Sequence, residues 1–178
     1  MASSSAVGTQ AQAAAASTSI VDLSDLVVKE KCHCLNDSPG KPFGNVFIGD
    51  ERLVCESEDD EQLLMTFEFR EAVRLHSINV VAPANDHGPK TIKLFVNKQS
   101  IDFADCNDLP ASQLLVLGPD DVAADRVCKL KMQNFTYVNL LSVFVEDNHG
   151  ADVSQISSIK FFGSPLPSTN MKDFKKAG

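Results

Sequence analysis

The stretch QLLMTFEF, residues 62–69, repeats with a period of two. Leu63, Met65, Phe67 and Phe69 occupy one parity, while Gln62, Thr66 and Glu68 occupy the other together with Leu64. Side chains of a β-strand alternate between its two faces, so this pattern predicts a strand with one core face and one face toward solvent. After a short turn, VRLHSINVVAP (73–83) predicts a second strand. NDHG (85–88) and Pro89 supply loop chemistry, and TIKLFVNK (91–98) alternates Ile92, Leu94 and Val96 against Lys93, Phe95 and Asn97. Three strands so close in sequence suggest a meander.

Working outward, SQLLVLG (112–118), RVCKLKM (126–132), YVNLLSVFVEDN (137–148) and SQISSIKFFGSP (154–165) read as further strand material. GPDDVAAD (118–125) reads as a single helical turn, with Pro119 near its start and two carboxylates at its positive end. IVDLSDLV (20–27) allows another short turn capped by Asp22 or Ser24. No segment sustains a 3.6-residue period for a dozen residues, and no internal repeat is present. Five to eight short strands separated by turn residues are the pattern of an all-β sandwich or barrel.

The ends of the chain differ from this middle. Residues 1–19, MASSSAVGTQAQAAAASTS, are almost all small or polar and cannot bury enough apolar area to offset ordering, so a disordered leader is expected. The leader is Ser-rich and acid-poor like a transit peptide, yet has no Lys or Arg to make a cationic face. A single β domain is expected over residues 20–167. Residues 168–178 are expected to form a flexible tail, locally basic, in which Met171 and Phe174 can present one face to a partner groove or fold back on the domain.

Composition excludes several function classes. The formal net charge is -8, with a pI near 4.9. Such a field opposes nucleic acid and anionic lipid, which require clustered basic groups. No apolar run reaches the length of a membrane span, and no secretory signal is visible, so a soluble intracellular chain is expected. In that setting the five cysteines read as reduced thiols, and the triplets Asn36-Asp37-Ser38 and Asn134-Phe135-Thr136 read as chance glycosylation matches.

Candidate chemistry is sparse. In CHC (32–34), Cys32 and Cys34 fall on one side of an extended chain and His33 on the other, against a single metal centre. The other thiols, Cys55, Cys106 and Cys128, look scattered, so packing is preferred to redox or metal chemistry. His76 shares its parity with Ile78, Val80 and Ala82 and reads as a hydrogen-bonded strand histidine. His87 and His149 sit beside glycines and read as solvated turn residues, with a site-lining role as the alternative. The carboxylates of 56–61 and 146–152 read as solvated loops, with calcium as the alternative. No metal or cofactor is called. Motifs for a nucleophile elbow, phosphate loop, dinucleotide site or zinc protease are missing, so catalysis is unsupported.

Several blocks in order carry a family resemblance: CHCLNDS (32–38), DEQLLMTFEF (60–69), VRLHSINVVAPANDHGPKTIKLFVNK (73–98), MQNFTYVNLLSVFVEDNHG (132–150) and ISSIKFFGSPLPSTNMKDFKK (156–176). Together they resemble the PITH domain, which is the C-terminal half of proteasome-associated thioredoxin-like proteins and also occurs alone. The resemblance implies a jelly-roll-like β-sandwich of the galactose-binding-domain-like type. It also implies a non-enzymatic module that docks on the regulatory particle of the 26S proteasome, in cytoplasm and nucleus, and a monomer is expected. No thioredoxin C-x-x-C pair precedes the sandwich here, so the resemblance supplies binding rather than disulfide reduction. The expected partner-contacting residues are Pro165, Thr169, Asn170, Met171, Asp173 and Phe174, together with the loop residues Asn85 and His87. A glycan or small-ligand site on the polar loops 85–89 and 147–150, and a thiol redox role for Cys32 or Cys34, are the alternatives.

Overall fold

A computed structural model of the chain describes residues 19–167. In chain order the strands are β1 (Val21–Asp22), β2 (His33–Leu35), β3 (Cys55–Glu56), β4 (Leu63–Val81), β5 (Pro89–Val96), β6 (Gln113–Val116), β7 (Cys128–Lys129), β8 (Val138–Asn148), β9 (Gln155–Ile156) and β10 (Ser158–Pro165). One α-helix, α1 (Phe103–Asp108), and several 3-10 turns complete the described chain. All pairings between these strands are antiparallel.

The alternation in 62–69 begins β4, but β4 does not end there. It runs on for 19 residues, where the sequence pattern suggested a turn and a second strand. Its first part, from Leu63 to Glu68, lies between β2 and β8. Its last part, from Val73 to Val81, lies against β10 and, at Ser77 and Ile78, against β7. The expected turn is instead a bow in the strand. Glu68 faces Leu140 and Val73 faces Val138, so β4 advances five residues while β8 advances two.

A second irregularity sits at His76. Ser77 faces Phe162 and Leu75 faces Gly163, which leaves His76 as the extra residue of a bulge. The bulge flips the phase of burial. Up to Leu75 the core residues are odd-numbered, and beyond it they are Ile78 and Val80. His76 is therefore displaced from the core face it seemed to share with Ile78 and Val80; it is half-buried, its Nδ1 3.1 Å from Ser77 Oγ.

The meander expectation fails for a related reason. β8 lies between β4 and β5, so the order along the sheet is β1-β10-β4-β8-β5-β6. β8 is apolar on both faces and can only be satisfied at the centre of a sheet. Between the two halves of this folded sheet sits the main core, with Phe67 as its hub. The Phe67 ring packs edge-on against Phe43 at 5.6 Å and Phe161 at 5.0 Å.

The outer face of the sheet is also covered. Leu64, assigned to solvent by its parity, is buried with Phe95, Phe144 and Cys106 under α1. That helix starts at Asp102, whose side chain accepts from the Asp105 N–H while Asp105 returns the bond in a capping box. Thr66 is buried on the same side, its hydroxyl 3.4 Å from that of Ser142. The strand thus has two covered faces.

The bulge at His76 brings Gly163 hard against β4. A Cβ built on Gly163 would stand 1.9 Å from the Arg74 carbonyl oxygen. Gly163→Ala is expected to lower unfolding free energy by about 1–3 kcal/mol in urea denaturation. Gly40→Ala, whose Cβ meets nothing within 4 Å, is the control and should be near neutral.

Candidate functional site

Three loops meet at one end of the sandwich: residues 56–62 before β4, 82–88 between β4 and β5, and 149–157 after β8. The middle loop is shaped by its own side chains. Asn85 Oδ1 accepts from the His87 N–H at 2.9 Å, and the Asn85 carbonyl accepts from Gly88 N–H at 3.1 Å. Gly88 is required there, because a Cβ would lie 2.6 Å from the Pro83 carbonyl oxygen. The loop then docks on 149–157 through backbone. The Asp86 carbonyl accepts from His149 and Ala151, and the His87 carbonyl accepts from Gln155.

The two loop histidines hold this junction and are not solvated turn residues. His87 Nδ1 is 3.1 Å from the Val153 carbonyl, and His149 Nε2 is 2.9 Å from the Leu117 carbonyl. Each is half-buried. Asn85 is exposed beside them.

Two residues without any expected role fix the remaining loop. Ser154 is fully buried; its hydroxyl donates to the Glu61 carbonyl at 2.6 Å, and its N–H donates to Ser57 Oγ at 2.8 Å. Asn36 adopts φ 73°, a left-handed conformation that asparagine tolerates better than most residues. From there its Nδ2 donates to Asp60 Oδ1 at 3.0 Å and to the Gln62 carbonyl at 2.8 Å, while its Oδ1 accepts from Asp59 N–H at 3.2 Å. The amide is consumed in structure, in keeping with the triplet at 36–38 being a chance match.

Convergence of the loops creates an open basin of about 660 Å³ whose wall carries Asp59, Asp60, Glu61, Asp147 and Asp152. Among the described residues no group of three or more His, Cys, Asp or Glu side chains is arranged to hold a metal ion. The carboxylates are instead spread around a wide rim. Beside it, Glu56 accepts from Gln155 Nε2 at 2.6 Å and pairs with Lys41 at 3.1 Å. The Gln155 hydrogen bond, aided by Lys41, holds the Glu56 carboxyl below its ordinary value.

The other expected contacts lie elsewhere. β10 carries Pro165 across from Val73, while Ser158 at its opposite end faces Val81, from which the Asn85 loop departs. Pro165 is exposed but is not part of the acidic end. Thr169, Asn170, Met171, Asp173 and Phe174 lie outside the described residues.

Cys32 donates to the Val28 carbonyl at 3.3 Å, and burial pushes its thiol up. Cys34 donates to the Leu35 carbonyl at 3.6 Å, and the influence of the Cys55 side chain, with burial, pushes the Cys34 thiol far above its ordinary value. Burial also raises Cys106, to about 11. An activated thiolate needs the opposite shift.

Comparison with known proteins adds the family. The PITH domain family model matches residues 13–178. The chain belongs to the PITH domain family. It is 29% identical to Thioredoxin-like protein 1 of Schizosaccharomyces pombe, over 98% of this chain and 63% of that protein. It is 30% identical to PITH domain-containing protein 1 of Xenopus laevis, over 75% of this chain and 66% of the relative. The chain thus spans about two thirds of the length of these relatives.

Among solved structures, the fold is similar to a family 32 carbohydrate-binding module from NanJ of Clostridium perfringens, solved in complex with galactose. The TM-score is 0.59 at 7% identity, covering 81% of this chain and 99% of that one. A second such module, from a family 31 glycoside hydrolase of the same organism, has TM-score 0.56 at 14% identity, covering 80% and 97%. These likenesses establish the galactose-binding-like β-sandwich fold of this PITH domain.

Two measurements check this site. Asn36→Ala removes three side-chain hydrogen bonds and places a Cβ-bearing residue less suited to φ 73°. It should cost about 1–3 kcal/mol in denaturant unfolding, and Asn36→Gly should recover only the backbone share. For Glu56, whose folded carboxyl is lowered from 4.5, the stability contribution is complete above that value and is lost as pH falls through the folded value. Glu56→Gln should therefore reduce the stability difference between neutral pH and acid, read as thermal midpoints across a pH series.

Proposed function

We propose that this PITH domain is a non-catalytic interaction module that docks on the regulatory particle of the 26S proteasome, with the acidic loop end as one contact surface. Family membership is the observation that carries the reading. The implied partner is the one the family resemblance suggests. Five carboxylates around an open basin suit a basic protein surface, since complementary charge speeds encounter and fixes orientation. The segment from Pro165 to Phe174 is the second candidate surface. Cytoplasm and nucleus, and a monomeric state, go with this reading. Among the described residues no helix is long and apolar enough to cross a membrane.

A glycan-binding reading follows from the likeness to a module solved with galactose. The chemistry of the loop end argues for the protein partner. Sugar faces favour an aromatic platform, and loops 56–62, 82–88 and 149–157 contain no Phe, Tyr or Trp. Tyr137, 59% exposed, lies away from these loops, where its carbonyl accepts from Asn97.

The test is surface-based binding of the full chain to purified regulatory particle, with the core particle and a galactose-bearing surface alongside. Binding should be confined to the regulatory particle and weaken as salt is raised. Asp59→Lys combined with Asp152→Lys should weaken it about tenfold or more. A chain ending at Pro167 separates the two surfaces: loss of binding there, with the charge-reversed variant unaffected, moves the contact to the C-terminal segment. Absence of binding to the regulatory particle overturns the reading.

A further inference from the structure

Strand β10 is paired along only part of its outer edge. β1 lies against it at Phe162 and Gly163, and Leu23 N–H donates to the Phe161 carbonyl at 2.9 Å. The chain then leaves the edge in a 3-10 turn, Ser24–Leu26. In an antiparallel ladder the backbone groups of every second residue point to the same edge, so the Phe161 carbonyl places the N–H and C=O of Ile159 on this edge as well. Among the described residues β10 pairs only with β1 and β4, and β1 does not reach Ile159.

A cleft of about 300 Å³ opens on that unpaired edge. Ser158, Ile159, Lys160 and Phe161 form its floor, consecutive residues of a strand met edge-on. Val27, Val46 and Phe47 supply an apolar wall, and the Lys29 ammonium stands over the Phe47 ring, 5.6 Å from its centroid. The charged side chains on the lining are Lys29 and Lys160, opposed by Asp25. Among the described residues neither lysine is in an ion pair. The cleft is therefore locally cationic in a chain of net charge -8.

We propose that this cleft is a docking site for a short extended segment of a partner protein, one that adds to β10 in line with β1 and carries acidic side chains. The backbone of Ile159 requires a main-chain donor and acceptor, which a peptide in strand form supplies. Residues opposite one another on neighbouring strands share a face. A residue facing Ile159, whose side chain is buried in the core, extends toward the apolar wall. The residues on either side of it fall on the face of Lys160, which is exposed. Apolar thus alternates with acidic in the ligand. The segment is also short: Leu23 closes one end of the cleft, and Glu51, whose carbonyl accepts from Ser157 Oγ at 3.0 Å, stands at the other. The free floor from Ser158 to Lys160 offers roughly 10 Å of strand. The inference is independent of what the acidic loop end contacts.

The experiment is a nuclear magnetic resonance titration of the isotope-labelled full chain with an end-blocked pentapeptide, serine-glutamate-valine-glutamate-serine. Resonances of Phe47, Ser158, Ile159 and Lys160 should shift, and the Ile159 amide should exchange with solvent about tenfold more slowly near saturation. A peptide with lysine in place of glutamate should leave them unmoved, and one N-methylated at valine should bind about tenfold more weakly. Lys29→Glu combined with Lys160→Glu should weaken the glutamate peptide about tenfold and admit the lysine peptide. Both lysines are exposed, and an unchanged thermal midpoint shows that the variant is folded. Absence of shifts along β10, or equal binding of the lysine or the N-methylated peptide, overturns the proposal. An Ile159 amide already protected without peptide assigns the edge to a second copy where dilution exposes it, and to the chain's own ends where dilution does not; either result overturns the proposal too.

Discussion

Strand β4 has to satisfy four different neighbours along one continuous stretch, with β2 and β8 flanking its first part and β10 and β7 its second. A strand cannot serve two differently oriented halves of a sheet without absorbing the change of direction somewhere. Here it is absorbed at residues 69–72 and at His76. Backbone hydrogen bonding is obligatory once a strand is buried, so each departure from regular pairing recurs as a constraint on a neighbour. The bulge at His76 forces a residue without Cβ at Gly163, and resets which parity of β4 meets the core. Loops 56–62 and 82–88 are simply what enters and leaves this strand. Their meeting with 149–157 follows from β10 starting opposite the end of β4.

How the loop end keeps its shape is a matter of side chains bonding to backbone. Asn36, Asn85, Asn148 and Ser154 each direct an amide or hydroxyl onto main-chain groups of a neighbouring segment or of their own turn. Loops without regular structure must place their polar backbone groups somewhere, and short polar side chains are the cheapest partners. The consequence is a rim on which acidic side chains stand at fixed positions while few cations neutralise them; Lys41 is engaged with Glu56 beside the basin. In the galactose-binding-like fold the same scaffold carries unrelated loop chemistry, which is why fold likeness at 7% and 14% identity informs architecture and not ligand.

The cysteines illustrate a different kind of placement. Neither Cys34 nor Cys55 shows the electropositive, exposed setting that activates a thiol. Cys55 lies in the main core, and Cys34 packs against that core from a half-buried position. Burial disfavours the thiolate, so such placement serves packing and opposes activation.

Much of this protein is readable from local pattern. The alternation at 62–69, the strand material at 91–98, 137–148 and 154–165, the turn at Pro119, and the lack of long helical periodicity gave an all-β sandwich, because strand propensity and period are properties of adjacent residues. The ordered blocks of family resemblance narrowed that sandwich to the PITH domain. The candidate site was legible only in part: the polar loops at 85–89 and 147–150 and the acidic run at 56–61 stood out by composition, but nothing in their spacing announced that they meet. Likewise Leu64 looked exposed until α1 covered it, and the two histidines looked solvated until carbonyls faced them. Those outcomes depend on contacts between residues dozens of positions apart, whose energy arises only when the sheet closes. A linear sequence fixes which groups are available to bury or bond, and the closed sheet decides which of them face one another.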